Sequence, residues 1–400
     1  MSLRPPAGFI SANYDPLKNP NAPTAVAASG GDASAAVSFT PPANVGGSAI
    51  SQYQVLAYTG GTYLNNTVGT SSPVSITGLT NGTAYTFQVW ALNSYGPSPF
   101  SAMSESVTPA AARGLFGGGE NGIVNVNTIN YITISTTGNA LDFGDLNAAY
   151  SCAGASSSTR GLFARSGSTS SIVFVTIATT GDSSSFGNLS QARGNLTGGC
   201  SDQTRAIWSG GTNPGSSAEA YNTIDYVTIA TTGNAIDFGD LTVGRSGIAS
   251  CASSTRGLSA AGYSSGNVLT NVIDYVTLAS TGNAIDFGDT LSEMTLSSAC
   301  SSPTRGVFAG GFIGSRTNVI QYVTIATTGN AIDFGDLINV VYSTAGTSSP
   351  TRGVFAGGNT VTNVIQYITI ASTGNALDFG DLPEGSAGAG ACSSAHGGLA

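Results

Sequence analysis

Residues 305–337 read RGVFAGGFIGSRTNVIQYVTIATTGNAIDFGDL, and close copies of this stretch recur six times between Arg113 and Asp381 at spacings of roughly 45–51 residues. Self-similarity at a fixed period of that size marks a repeat architecture and takes precedence over the reading of any single residue. Three landmarks hold the register. The opening arginine falls at Arg113, Arg160, Arg205, Arg256, Arg305 and Arg352. The aromatic of the second apolar run falls at Tyr131, Phe174, Tyr226, Tyr275, Tyr322 and Tyr367, and the aromatic of a Phe-Gly turn at Phe143, Phe186, Phe238, Phe287, Phe334 and Phe379. The insertions therefore lie between landmarks.

Within one copy, a short apolar run from Gly306 ends in Gly310-Gly311. A variable loop leads to a β-branched run over 319–325, the turn Thr328-Gly329-Asn330 precedes Ala331-Ile332-Asp333-Phe334-Gly335-Asp336, and a small polar stretch over 343–349 leads to the next arginine. Four short strands separated by turns predict one four-stranded propeller blade per repeat. The period is too long for a β-helix rung and lacks the helical half of a leucine-rich repeat. The first copy begins at its second strand, while after the last copy the chain carries one further first strand at Ala391-Cys392-Ser393-Ser394. That strand is expected to complete the first blade, leaving no open edge and giving six blades.

A double glycine follows the second strand as Gly118-Gly119, Gly210-Gly211, Gly310-Gly311 and Gly357-Gly358, is half kept as Ala261-Gly262 and is lost as Arg165-Ser166. With the Tyr131 and Phe143 series, this pattern resembles a divergent kelch repeat in which phenylalanine replaces the usual tryptophan. The paired glycines are expected where inner strands crowd together.

Charged residues make up 8% of the 400, against roughly 25% in an average soluble domain. The surface is therefore expected to be built from Ser, Thr, Asn and Gly. No window sustains a 3.6-residue apolar period, so the fold class is all-β. A net charge of −9 argues against nucleic acid and against an anionic membrane surface. The first residues, MSLRPPAGFISANYDPL, lack the basic and apolar regions of a secretory signal, and no run is long enough to span a bilayer. Synthesis in a cytosol is the expectation.

Residues 1–19 are rich in Pro and Asn and read either as a disordered tail or as an extended strap that docks Phe9, Ile10, Tyr14 and Leu17 on a partner subunit. Residues 20–110 contain AAVSFTPP, ISQYQVLAY, SPVSITGL and AYTFQVWALN, four segments of alternating polarity bounded by turn residues. With Pro23, Phe39-Thr40-Pro41-Pro42, Leu79, Asn81-Gly82-Thr83-Ala84-Tyr85 and Val89, Ala91, Asn93 and Gly96, the stretch resembles a fibronectin type III domain over nearly its whole length. The resemblance implies a spacer or adhesive sandwich, Phe39 in the usual tryptophan position and Tyr85 as the tyrosine corner. Residues 103–112 read as a linker, and 111–400 as the six-bladed propeller.

Few residues offer chemistry. Cys200, Cys251, Cys300 and Cys392 share one repeat slot, held elsewhere by Ala155 and Thr347, and are expected to pack as free buried thiols. The repeat arginines and the pairs Asp142/Asp145, Asp237/Asp240, Asp286/Asp289, Asp333/Asp336 and Asp378/Asp381 are expected to be structural, the aspartates capping turns and one of them pairing with an arginine. Calcium is the functional alternative for these pairs, although no EF-hand or RTX spacing surrounds them. The second copy lacks both turn aspartates, which marks either a contact or drift. His396 is the only histidine, so a copper centre, which needs more than one, is excluded; it stands in a repeat slot held elsewhere by Thr255 and Thr304, and with no GxSxG elbow a serine triad is not expected. No catalytic, cofactor or metal residues are assigned, and no cofactor is expected.

The TGNAIDFGDL-type repeats and the Pro5-Pro6-Ala7-Gly8-Phe9-Ile10 opening resemble structural proteins of tailed phages, those of cyanophages in particular. The resemblance implies a non-enzymatic virion protein, a tail fibre or appendage subunit. Its expected partners are other virion proteins through residues 1–19 and a host-surface glycan or protein, with homo-oligomeric assembly open. The variable loops 121–127, 212–221, 262–269 and 312–317 are where binding is expected. Two rivals stay open. One is a capsid decoration or tail subunit without receptor binding. The other is a glycan-degrading enzyme using nonrepeated carboxylates such as Glu219 or Glu293.

Overall fold

A computed structural model describes residues 18–399, so the expected strap falls almost wholly outside the described residues. The chain is all-β, with one 3-10 turn at Gly397–Leu399 as its only helical element among the described residues. It divides into two compact units between Ala111 and Ala112.

The first unit is a two-sheet sandwich. One sheet orders Thr24–Gly31, Ser34–Thr40 and Val74–Thr77; the other orders Thr62–Gly69, Gln52–Thr59, Thr86–Asn93 and Gly96–Pro97. Alternation sends Val37, Phe39, Tyr53, Val55, Phe87 and Val89 into one core, with Phe39 against Tyr53 at a ring separation of 4.7 Å. The backbone N–H of Thr80 donates to Tyr85 Oη at 3.0 Å, which is the tyrosine corner. Where a linker was expected from residue 103, the chain instead continues along the sandwich edge. Ser98, Ser101 and Ser104 place their hydroxyls, three residues apart, on the N–H groups of Ala91, Val89 and Phe87, and Val107 pairs with Tyr85. A three-residue serine period carries no strand signature, because at 98, 101 and 104 the serine hydroxyl accepts in place of a backbone carbonyl, while the N–H of the same residue donates to Ala91 O, Val89 O and Phe87 O.

The second unit contains six four-stranded antiparallel sheets, the fourth of them carrying an extra short strand, Arg245–Ser246. In the fifth sheet the order is Ser298–Ser301, Arg305–Ala309, Val319–Thr324, Ile332–Asp336. The first sheet takes its first strand from the end of the chain: Gly390–Ser393 pairs with Arg113–Gly117, with Cys392 opposite Leu115. Each of six apolar clusters is shared by two neighbouring sheets, and one of them joins Phe116 and Ile132 of the first sheet to Val354 and Ile365 of the sixth. The core is thus distributed over the seams between sheets.

The repeat motif explains itself at these seams. The expected Phe-Gly turn is instead a bulge in each fourth strand, and there the Phe carbonyl accepts from the Gly N–H of the next sheet's Thr-Gly-Asn/Asp turn, as in Gly181 N to Phe143 O at 2.7 Å and, from first sheet back to sixth, Gly138 N to Phe379 O at 2.8 Å. The bulge glycine lies so close to that neighbour that a Cβ on Gly380 would sit 2.5 Å from Gly138 O. The turn Asn finishes the clasp: Asn139 Oδ1 accepts from Asp381 N, and Asn330 Oδ1 from Asp289 N.

The repeat arginines do not pair with the turn aspartates. Each guanidinium lies over the aromatic ring of its own third strand, 4.4–5.2 Å from its centre, and donates to a carbonyl of the next sheet, as Arg113 does to Ile177 O and Arg352 to Ile134 O. A carbonyl acceptor leaves no trace in sequence, which is why the carboxylates drew the expected pairing. Nor do those aspartate side chains cap turns as expected: the side-chain acceptors here are the asparagines, which bind the N–H of a neighbouring fourth strand. The glycine pairs follow the second strand as expected, but a fourth-to-first connection crowds them rather than inner strands. They have positive φ, 62° and 118° at Gly310 and Gly311, and a Cβ on Gly310 would meet Val341 O at 2.6 Å.

Candidate functional site

Antiparallel order puts the second-to-third and fourth-to-first connections of every sheet at one end of the unit, and the short turns at the other. All four loops singled out in the sequence are second-to-third connections, so they share the first of these ends. Each is ordered by its own contacts. Asn121 Oδ1 accepts from the N–H groups of Ile123 and Val124. Thr212–Asn213 pairs with Ser216–Ala220. The strands Arg256–Ser264 and Val268–Thr277 run on into a long hairpin, and Phe312 bridges to Arg316 while its ring meets Tyr342 edge-on. Ile123 is 89% exposed, and Val124, Val268 and Ile313 are also exposed, joined by Val243, Ile338 and Val340 from the fourth-to-first connections and by Leu291 on the strand Ile285–Met294. Sequence reading placed the loops but missed the second group, because a lone Val or Ile in a polar connection looks like core.

Between the first strands there is little room. First strands touch in the order Cys152–Ser156, Gly198–Ser201, Ala249–Ala252, Ser298–Ser301, Ala345–Ser348, Gly390–Ser393, and the last touches the first. Two cavities of about 50 and 70 Å³ lie among them, lined by small residues such as Gly154, Gly199, Ala299 and Gly346. Such volumes hold a few waters, not a substrate. A belt of serines crosses the seams here: Ser201 Oγ donates to Ser156 O, Ser156 Oγ to Ser393 O, Ser393 Oγ to Ser348 O, Ser348 Oγ to Ser301 O and Ser301 Oγ to Ala252 O, at 2.6–2.8 Å. Ala252 interrupts it.

All five cysteines are free and buried. Burial pushes every thiol up, Cys152 and Cys200 to about 12. They therefore stay protonated and lack the thiolate needed for nucleophilic or metal chemistry at neutral pH. Among the described residues no group of three His, Cys, Asp or Glu side chains is arranged to hold a metal. Glu219 accepts from Asn213 within the 212–220 hairpin, and Glu293 is exposed on Ile285–Met294. In the second sheet, Asp182 Oδ1 takes the asparagine's place as acceptor for Asp145 N, and the Arg165 guanidinium lies over Tyr150. Its departures from the repeat are thus compensated locally.

His396 closes the belt at the turn end. Gly398 N–H donates to Nδ1 at 3.1 Å, so the neutral ring carries its proton on Nε2, which lies 3.1 Å from Ser156 O and 3.2 Å from Ser201 Oγ. Burial lowers its pKa from 6.5 to about 4. The unfolded chain binds this proton below about pH 6.5 while the folded chain resists it until about pH 4, so the stabilisation is complete above 6.5 and is lost as pH falls through 4. Full loss amounts to about 3 kcal/mol. A melting series from pH 7 to 4 is expected to fall more steeply for the native chain than for His396→Gln; parallel curves would show that the ring is not held neutral.

Residues 21–107 match the family model of the fibronectin type III domain. Among solved structures, the crystal structure of domains A168-A170 from titin is similar, at 28% identity and a TM-score of 0.22 over 23% of this chain and 32% of that chain. No curated protein matches the chain. With the two-sheet order, the Phe39–Tyr53 core and the Tyr85 corner already in place, residues 21–107 are a fibronectin type III domain.

Proposed function

We propose that the 112–400 unit is a six-bladed, kelch-like β-propeller closed by its C-terminal strand. We propose further that the chain is a non-enzymatic structural protein of a tailed-phage virion, a tail fibre or appendage subunit that turns its long loops to the host surface. The observation that carries the first part is the set of like bonds at every seam, with Gly138 N to Phe379 O and Arg352 to Ile134 O joining the sixth sheet to the first. Support for the second part is the crowding of exposed, mostly uncharged loops at one end, together with first strands that leave space only for water. Weak contacts of such loops with host glycan or protein gain strength when many copies act together. The fibronectin type III domain serves as spacer, and residues 1–19 join other virion proteins.

The test pairs location with binding. Immunogold labelling of assembled particles is expected at tail appendages, and beads bearing many full-length chains are expected to bind susceptible host cells. Label on the capsid shell, with no binding of cells, would replace the fibre by a decoration subunit. Electron-microscopic averages without six lobes about one axis would remove the propeller.

A further inference from the structure

The outward face of the four-stranded sheet in the fibronectin type III domain has an unusual composition. Its strands Gln52–Thr59, Thr62–Gly69 and Thr86–Asn93 contain no charged residue. Because Tyr53, Val55, Phe87 and Val89 fill the core, their sequence neighbours face outward. Cross-strand register aligns these in rows. Val68, Gln54 and Trp90 form one row; Asn66, Leu56 and Gln88 form the next; Tyr63, Tyr58 and Thr86 form the third.

We propose that this face is a binding platform for a neutral carbohydrate. Sugar rings offer axial C–H groups, which pack on aromatic faces, and hydroxyls, which want amide donors and acceptors beside them. The face presents both. Tyr58 and Tyr63 meet edge-on with ring centres 6.0 Å apart, and Tyr63 is half exposed. Four residues of strand, or about 13 Å, separate this pair from Trp90. An amide chain runs between them: Gln54 Nε2 donates to Asn66 Oδ1 at 2.8 Å, and Asn66 Nδ2 to Tyr63 Oη at 2.5 Å. These amides are pre-ordered, and among the described residues no protein group accepts from the Trp90 indole N–H. Aromatics at both ends with amides between suit an extended saccharide, whereas the core of a protein interface is a contiguous apolar patch. The lack of any ionised side chain selects a neutral ligand over an anionic one. This site is separate from the long loops of the second unit and does not rest on the role proposed for them.

The chain carries two tryptophans, and Trp208 is completely buried, so a sugar-dependent change in intrinsic fluorescence reports Trp90. Full-length protein is run in native gels containing dextran, a mixed-linkage β-glucan or galactomannan, with alginate as the anionic control, and titrated with the matching oligosaccharides. Retardation by at least one neutral polymer and not by alginate is expected, with a fluorescence change. Trp90→Ala and Tyr63→Ala are each expected to weaken binding about tenfold. Because Tyr63 is half exposed, its variant keeps the native melting curve, which separates lost binding from lost folding. Retardation by alginate alone, none by any neutral polymer, or binding unchanged in both variants overturns the proposal.

Discussion

Removal of residues 389–400 is expected to abolish the cooperative folding of the 112–400 unit and to leave an aggregating protein. The deleted stretch contains the first strand of the first sheet, so Arg113–Gly117 becomes a free edge with Leu115 and Phe116 uncovered. It also removes Cys392 from an apolar cluster, the Ser393 hydroxyl from the serine belt and the Ser394 hydroxyl from Arg113 N–H. Several hydrogen bonds at about 1 kcal/mol each, together with the loss of apolar burial, sum to roughly 5–8 kcal/mol, comparable with the whole stability of a domain. Addition of a peptide covering 388–400 is expected to restore soluble protein. A truncated chain that melts like the full one would show that the strand is dispensable.

What the sequence disclosed about the fold was its periodicity and its alternation. The landmark series at Arg113, Tyr131 and Phe143 marked the second, third and fourth strands, and Tyr85 and Phe39 marked the first domain. What it hid were interactions with backbone. Arg113 reaches Ile177 O, Ser101 reaches Val89 N, and Asn139 reaches Asp381 N. A main-chain partner has the same appearance at every position in a sequence, so carboxylates were credited with roles that carbonyls perform. The candidate sites were legible in unequal measure. Loop variability pointed to 121–127 and 312–317, but the sheet face carrying Tyr58 and Trp90 looked like ordinary strand alternation. Only the register shows that its outward half is uncharged and aromatic.

Residues that differ between repeats show the same logic at the seams. Seven positions after each Phe-Gly phenylalanine stand Tyr150, Arg193, Arg245, Met294, Val341 and Ser386, and of these Arg193, Arg245 and Met294 bond side chains of the next sheet's third strand. Arg193 is bound to Asp225 and Arg245 to Asp274, all four side chains fully buried, whereas Met294 Sδ accepts from Gln321 Nε2 at 3.0 Å. Burial lowers the pKa of both arginines, and the facing aspartate partly restores it. The acid also ties the connection down, since Asp225 Oδ2 accepts from Ser190 N and Oγ at 2.9 Å.

Asp225→Asn is therefore expected to cost about 3–5 kcal/mol, because it strands a buried guanidinium that already has an unpartnered Nε. The double substitution Arg193→Met with Asp225→Gln transplants the pair used two seams further on, and it is expected to recover most of that loss. An ion pair this deep must offset the desolvation of two charges, whereas the thioether and amide face a much smaller penalty. Urea unfolding of the native chain, both single variants and the double variant completes the cycle. A single variant costing less than about 1 kcal/mol would mean that water reaches the pair. A double variant no better than Asp225→Asn would mean that the arginine's bonds to Gly210 O and Thr223 O, rather than its charge, hold this seam together.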